Sequence, residues 1–129
     1  MADRPLSPHL TVYRLRYTLV SSIVNRGTGL ALSVGFLLLL YWVMALFRGP
    51  QSYADAEVVF AHPLFKLLLS GFIFAFSYHL IAGVRHLIWD MARGMERRQS
   101  QTSAWAVGIL SVLLTLVIVY IAFCPEAIR

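Results

Sequence analysis

Three long apolar stretches divide the chain, and charged residues lie only between them. Residues 27–47, 67–84 and 99–125 contain no Asp, Glu, Lys or Arg. A membrane-spanning helix needs about 20 mostly apolar residues, so each stretch accounts for one crossing. Runs such as ILSVLLTLVIVYIAF are apolar on every face, whereas the strands of a membrane barrel alternate. The pattern therefore predicts an all-α membrane protein with three transmembrane helices.

Proline and charged residues mark where these helices begin and end. We predict helices at about 20–47, 63–91 and 103–123. Pro63 suits the first turn of a helix, and Pro125 stops the third one. The connection 48–62 is predicted to be a loop, and the whole chain, 1–129, to be a single membrane domain.

Composition supports a membrane protein and excludes several other classes. Of the 129 residues, 59% are hydrophobic and 13% are charged, unlike an ordinary soluble domain. The net charge of +5 is not spread as a binding face, so we expect no nucleic-acid partner and a lipid bilayer instead. One cysteine, Cys124, cannot hold an iron–sulfur cluster. With no recognisable catalytic set either, we expect the chain to be non-catalytic alone and to share any chemistry with other subunits.

The basic residues also predict how the chain is oriented. They gather in the N-terminal part and in the second connection: Arg4, Arg14, Arg16, Arg26, Arg93, Arg97 and Arg98. Positively charged connections stay on the cytoplasmic side of a membrane. We therefore expect an N-terminal cytoplasmic segment and a cytoplasmic connection at 90–102, with 48–62 and the C-terminus outside.

Polar residues on the second predicted helix share one face. His79, Gly83, His86 and Asp90 are separated by four, three and four residues. His79 lies about 16 Å along the axis from Asp90, near the bilayer centre. Gly83 removes a side chain one turn away, where a flat macrocycle could approach. Imidazole is a common axial ligand of haem iron, and His86, about 10 Å further along, lies where a propionate would be met.

These residues also have a purely structural interpretation. A membrane histidine can hydrogen-bond across a helix interface, and a lone glycine is often a packing notch. Arg85 and Asp90 lie close to the cytoplasmic interface, where they can snorkel or pair. Small residues on the third helix predict packing alone: Ala104, Gly108, Ser111 and Thr115. Spacing by itself leaves both interpretations of His79 open.

The first predicted helix has a polar, small-residue face of its own. Ser22, Arg26, Gly29 and Ser33 are separated by four, three and four residues, with Asn25 beside them. Arg26 is a fixed cation with five donors, able to hold a carboxylate or to hydrogen-bond a quinone carbonyl. The alternative is an arginine that sets the topology, followed by a packing stripe.

A haem with two histidine ligands would need a second imidazole at the depth of His79. His9 lies in the N-terminal segment, and His62 lies at the outer end of the second helix. Neither can face His79. If His79 binds haem with two axial histidines, the second must come from another chain.

Three segments in this order resemble one family closely. They are RPLSPHLTVYR (4–14), SSIVNRGTGLAL (21–32) and HLIAGVRHLIWD (79–90). The combination resembles the cytochrome b large membrane-anchor subunit of succinate dehydrogenase, respiratory complex II. The resemblance implies a complex with a flavoprotein, an iron–sulfur subunit and a second, small membrane-anchor subunit, with one haem b between the anchors and ubiquinone as substrate.

The resemblance also implies roles for particular residues. His79 matches the position of the axial haem ligand, and Ser22 and Arg26 match the ubiquinone site. Arg85 and His86 lie in the segment near the haem propionates. Where the family usually has a histidine before the arginine, this chain has Asn25, which cannot titrate, so a charge-pairing or proton-relay role at that position is in doubt.

Location and two alternative functions complete the expectations. With Met1 as the start, the first motif leaves no room for a mitochondrial transit peptide, so we expect a multi-pass protein of a bacterial plasma membrane. One alternative is a haem-free structural anchor or transporter component whose polar faces only join helices. The other is the anchor of a quinol:fumarate reductase.

Overall fold

The computed structural model describes residues 17–123, which form four helices. Their bounds are α1 (Tyr17–Phe47), α2 (Pro50–Ala61), α3 (Pro63–Asp90) and α4 (Arg97–Phe123). No strand occurs in this described part of the chain. Helices α1, α3 and α4 have the length and composition to cross a membrane. The prediction of an all-α protein with three membrane-spanning helices is confirmed, while the N-terminal segment and Cys124 lie outside the described residues.

The first connection is not the loop that the sequence predicted, because most of it forms α2. Pro50 begins this helix, where a missing N–H leaves no hydrogen bond unmade. Gly49 before it has a φ of 107°, which residues with a side chain rarely adopt. His62 separates α2 from α3: its backbone is extended, as expected before a proline, and its Nδ1 accepts from the backbone N–H of Leu64 at 3.2 Å.

Two helices begin earlier than predicted. Helix α1 starts at Tyr17 instead of about 20, and α4 starts at Arg97 instead of about 103. Hydropathy marks the part of a helix that is apolar, whereas a helix can continue through polar residues once its hydrogen bonds are made. The chain reverses direction between α3 and α4 at Ala92 and Gly94, whose φ angles are 56° and 73°.

Helices α1 and α3 each contact the other three helices, and the most extensive packing is that of α3 against α4. The buried side chains are mostly small: Ser21, Thr28, Ala45, Ala56, Ala75, Ser77, Ala82, Ala104 and Ser111. Small residues let helix backbones approach closely, which is the usual basis of helix packing in membranes. Ala104 and Ser111 are fully buried, as the predicted packing stripe on the third span requires.

Large apolar side chains on the spanning helices face away from the rest of the described chain. Phe47 is 85% exposed, Leu30 is 71% exposed and Leu67 is 70% exposed. Contiguous apolar surface of this kind is unfavourable in water. The outer faces of the bundle therefore suit the bilayer or other membrane subunits.

Candidate functional site

The imidazole of His79 lies between α3 and α1 and is held there through one nitrogen. Nδ1 lies 3.2 Å from the backbone oxygen of Asn25 and 3.4 Å from Oγ1 of Thr28. A carbonyl oxygen can only accept, so Nδ1 carries the proton and donates. In the neutral ring, Nε2 then has the free lone pair. Nε2 makes no hydrogen bond within residues 17–123, which leaves it available to a ligand.

Two glycines determine the space around this imidazole. A Cβ atom on Gly29 would lie 3.1 Å from Cε1 of His79, closer than ordinary van der Waals contact. A Cβ atom on Gly83, one turn along α3, would meet nothing within 4 Å. Gly29 therefore lets α1 approach the ring, and Gly83 borders open space of the kind that a flat ligand would need.

The predicted quinone-site residues lie on α1 within one turn of this contact. Ser22 is half-buried and Arg26 is exposed, and the side chains of both lack hydrogen bonds to the rest of the described chain. Asn25 contacts His79 through its backbone oxygen. Its side-chain oxygen is buried and unpaired among residues 17–123. The structure thus brings Asn25 to His79 through the main chain and leaves the side chains of Ser22 and Arg26 open to other partners.

Arg85 packs against α4, where most of its donors are used. The residue is 6% exposed. Its Nε donates to Oγ of Ser103 at 2.9 Å, and its Nη2 donates to the backbone oxygen of Ser100 at 2.8 Å. The guanidinium carbon lies 3.9 Å from the ring centroid of Trp89, whose Nε1 donates to the backbone oxygen of Gly94 at 3.2 Å. These five residues form what we name the Arg85 clamp, which ties the end of α3 to the start of α4.

The clamp favours the pairing interpretation of Arg85 over a site role. Its Nη1 makes no hydrogen bond to the described residues, so one corner of the guanidinium stays available. The role of Arg85 near a haem propionate therefore stays a prediction.

His86 lies on the exposed side of α3. Its Nδ1 lies 2.7 Å from the backbone oxygen of Ala82 and donates to it, since the carbonyl has no proton to give. The ring stands edge-on to Trp89 with centroids 5.3 Å apart. His86 is seven residues from His79, or about 10 Å along the helix. The two imidazoles thus occupy different levels of the bundle, and the propionate role of His86 also stays a prediction.

The described residues supply a single imidazole at this level. No group of three or more His, Cys, Asp or Glu side chains converges as a metal site within residues 17–123. His62 caps the opposite end of α3, and His9 lies outside the described part. A ligand held at Nε2 of His79 would therefore be held from one side only by these residues.

Sequence reasoning missed three contributors to this contact. Thr28 and the backbone oxygen of Asn25 hold Nδ1 of His79, and a backbone carbonyl has no sequence signal at all. Tyr78 donates to Ser21, whose Oγ and backbone oxygen lie 3.0 and 3.2 Å from the phenol oxygen. Ser21 and Thr28 are seven residues apart and share a face of α1 next to the face formed by Ser22 and Arg26, so helical spacing was the available signal.

Fold and site together define a class of protein: a multi-pass helical membrane subunit that presents one imidazole, oriented at Nδ1, between two of its spanning helices. Residues 2–118 match the family model described as succinate dehydrogenase/fumarate reductase transmembrane subunit. The chain belongs to this family, which confirms the resemblance of its motifs.

Similar proteins come from both bacteria and mitochondria. The succinate dehydrogenase cytochrome b556 subunit of Paracoccus denitrificans is 38% identical over 122 residues, covering 92% of this chain and 94% of that protein. The b556 subunit of Rickettsia typhi is 35% identical, with 89% and 90% covered. The mitochondrial b560 subunit of Sus scrofa is 39% identical, with 87% and 68% covered. These relatives favour succinate dehydrogenase over the fumarate reductase alternative.

Proposed function

We propose that this chain, as a membrane anchor of succinate dehydrogenase, binds haem b through Nε2 of His79 and contributes Ser22 and Arg26 to a ubiquinone site. The hydrogen bond from Nδ1 of His79 to the backbone oxygen of Asn25 supports the ligand role most directly. Metal-binding histidines commonly donate their other ring N–H to a carbonyl, which fixes the tautomer and raises ligand basicity. The names cytochrome b556 and b560 of the relatives also imply haem b.

A second haem ligand would come from the small membrane-anchor subunit. At the level of His79 the described residues offer one free imidazole nitrogen, and the open space beside Gly83 suits a flat group shared with another chain. Exposed apolar faces on the spanning helices can pack against such a subunit. When bound, haem b supplies reversible one-electron chemistry. This chain's contribution is to hold and orient it.

Ser22 and Arg26 are suited to bind the carbonyl end of ubiquinone. They lie one turn apart on α1, and neither side chain is engaged by the described residues. The guanidinium donors of Arg26 and the hydroxyl of Ser22 can donate to quinone oxygens. At this end of the bundle the quinone would receive electrons from the iron–sulfur subunit, which in turn receives them from the flavoprotein. Two protons taken up on reduction would come from the same side of the membrane.

Asn25, Arg85 and His86 would lie around the haem propionates. Arg85 offers its remaining Nη1 donors and His86 its free Nε2, whereas Asn25 can give a carboxylate only the N–H groups of its side-chain amide. A carboxylate can accept from the arginine and from a protonated histidine. Asn25 can contribute only a neutral amide, so it supplies no charge to this pairing.

The basic end of the bundle, where α3 ends and α4 begins, would face the cytoplasm of a bacterium. Arg93, Arg97 and Arg98 are exposed there. The positive-inside bias then puts the N-terminus in the cytoplasm and the C-terminus outside the plasma membrane. Labelling of single introduced cysteines at both ends, from each side of the membrane, would test this orientation.

The haem assignment is tested by His79→Ala in the purified complex. We expect loss of the low-spin haem spectrum, or a strong change in it, because Nε2 is removed. His62→Ala is the matched control, since His62 caps the far end of α3, and its spectrum should be normal. A normal spectrum in His79→Ala would refute the assignment, whereas an unmodified complex that contains no haem would favour the haem-free anchor.

The quinone assignment is tested by Arg26→Leu with two assays. Quinone reduction should fall at least tenfold, while succinate oxidation with an artificial acceptor should be retained. Arg48→Leu, at the other end of α1, is the control and should keep both activities. Equal loss of both activities in Arg26→Leu would instead indicate failed assembly and contradict a specific role.

A further inference from the structure

Thr28 is the least expected member of the contact between α1 and α3. It is 8% exposed, and its Oγ1 donates to the backbone oxygen of Asn25 at 2.8 Å. Because the hydroxyl proton is directed at that carbonyl, the oxygen lone pairs are free to accept. Nδ1 of His79 lies 3.4 Å away. The N–H of the imidazole therefore faces two acceptors, one from the main chain and one from a side chain.

A hydroxyl bonded back to its own helix is common and by itself has no functional meaning. Thr115 is the matched example on α4: its Oγ1 donates to the backbone oxygen of Ser111 at 2.7 Å and makes no hydrogen bond to an imidazole of residues 17–123. Two observations distinguish Thr28. Its hydroxyl approaches a titratable ring on another helix, and its neighbour Gly29 leaves the gap that lets that ring come so close.

We propose that Thr28 and Gly29 are positioning residues that set the orientation and electron richness of the His79 imidazole as an iron ligand. This inference rests on the proposed haem role of His79. Thr28 acts on Nδ1, and Gly29 acts on the ring edge at Cε1. Neither residue would touch the iron or the haem, because both would act through the ring of His79.

The physical effect of Thr28 is on the balance between the two iron oxidation states. An acceptor on Nδ1–H makes the imidazole a more basic ligand, and a more basic ligand favours oxidised iron. Removing one of the two acceptors should therefore raise the midpoint potential of the haem. The change is partial, because the backbone oxygen of Asn25 remains.

Thr28→Val tests this with little change in shape. In the purified complex, potentiometric titration of the haem absorbance should give a midpoint potential higher than that of the unmodified chain. Thr28→Ser keeps the hydroxyl and should restore the original value. Thr115→Val removes a comparable hydroxyl from α4 and should leave the potential unchanged. If the midpoint potential of Thr28→Val equals that of the unmodified chain and of Thr115→Val, the role of Thr28 is refuted.

Gly29→Ala tests the second half of the proposal. The added methyl would lie 3.1 Å from Cε1, so the ring must turn or shift. The low-spin electron paramagnetic resonance signal, which reports ligand-ring orientation, should change its g-values. Gly27→Ala is the control, because a Cβ there meets nothing within 4 Å. Unchanged g-values in Gly29→Ala would overturn its role.

The outcome for His79→Ala distinguishes failure of the positioning proposal from failure of the haem-ligand proposal on which it rests. If His79→Ala keeps a normal low-spin haem, the ligand assignment fails and the positioning proposal fails with it. If His79→Ala loses that signal while Thr28→Val and Gly29→Ala behave as the unmodified chain, only the positioning proposal fails.

Discussion

Helix α3 makes one polar contact with α4, at Arg85, and another with α1, at His79. The two contacts differ in how many polar atoms of these side chains have hydrogen-bond partners. In the Arg85 clamp, the guanidinium gives donors to Ser100 and Ser103 of α4 and lies against Trp89. At the contact with α1, His79 is paired at Nδ1, and Nε2 has no partner within the described chain. His79 keeps one nitrogen open to a ligand or subunit outside the described chain, whereas most donors of Arg85 are already bound to α4.

The difference matters because both residues lie on a helix that crosses the membrane. Ionisable side chains there are costly and usually mark function. Arg85 uses most of its donors to join α3 to α4 and keeps only Nη1 for a group outside the described chain. His79 differs because its Nε2 has no hydrogen-bond partner among residues 17–123.

The largest effect on stability is expected from Arg85→Leu, which breaks the clamp. It removes charged hydrogen bonds to α4 and the contact with Trp89, and should lower the free energy of unfolding by about 2–4 kcal/mol. Thermal melting of the purified complex measures this. Arg98→Leu is the exposed control and should melt normally. Haem in the assembled Arg85→Leu fraction should keep its low-spin spectrum, because the proposed iron ligand is His79; loss of that spectrum would show that the clamp also determines how His79 binds.

A smaller effect is expected where α1 and α3 pack without polar groups. A Cβ on Gly35 would lie 2.9 Å from Cδ1 of Phe72, so Gly35→Ala forces the phenyl ring to move. Overpacking of this kind costs about 1–3 kcal/mol. Gly71→Ala, where a Cβ meets nothing within 4 Å, is the control. Equal melting temperatures for the two variants would contradict the close packing of α1 on α3.

The smallest effect is expected from Tyr78→Phe. Tyr78 is next to His79 in the chain but makes no hydrogen bond to it. The variant loses the bond to Ser21 and should be less stable by about 1 kcal/mol. Because Nδ1 of His79 keeps both acceptors, the haem midpoint potential should stay the same. Paired melting and potentiometric titrations measure this, and a shift in potential as large as that of Thr28→Val would contradict a specific role for Thr28.

Much of the fold could be predicted because hydrophobicity is a direct signal for crossing a membrane. The three spans and the small-residue face of α4 follow from uncharged runs and helical spacing. Helix α2 was missed because Pro50–Ala61 has no long apolar run, although a proline in its first turn was a helix signal in its own right. The start of α4 was placed late because polar residues after Arg97 continue the helix beyond its apolar part.

The site could be predicted less completely than the fold. Spacing and resemblance indicated His79, since an imidazole in an apolar helix is conspicuous. The partners that orient it were not predictable, because one is the backbone oxygen of Asn25 and the other, Thr28, resembles any helix hydroxyl. The engagement of Arg85 with α4 also depended on tertiary packing that no motif encodes. Sequence thus identified the candidate ligand, and structure was needed to show which of its nitrogens is free.

The most direct test of the central claim is rescue of His79→Gly by added imidazole in the purified complex. Removing the side chain should abolish the normal low-spin spectrum, and free imidazole should restore it by supplying the missing nitrogen. His62→Gly with the same additions is the control: it should keep the normal spectrum and should not respond to imidazole. A His79→Gly complex that keeps the normal low-spin spectrum without imidazole would contradict the claim that Nε2 of His79 is the open half of this contact.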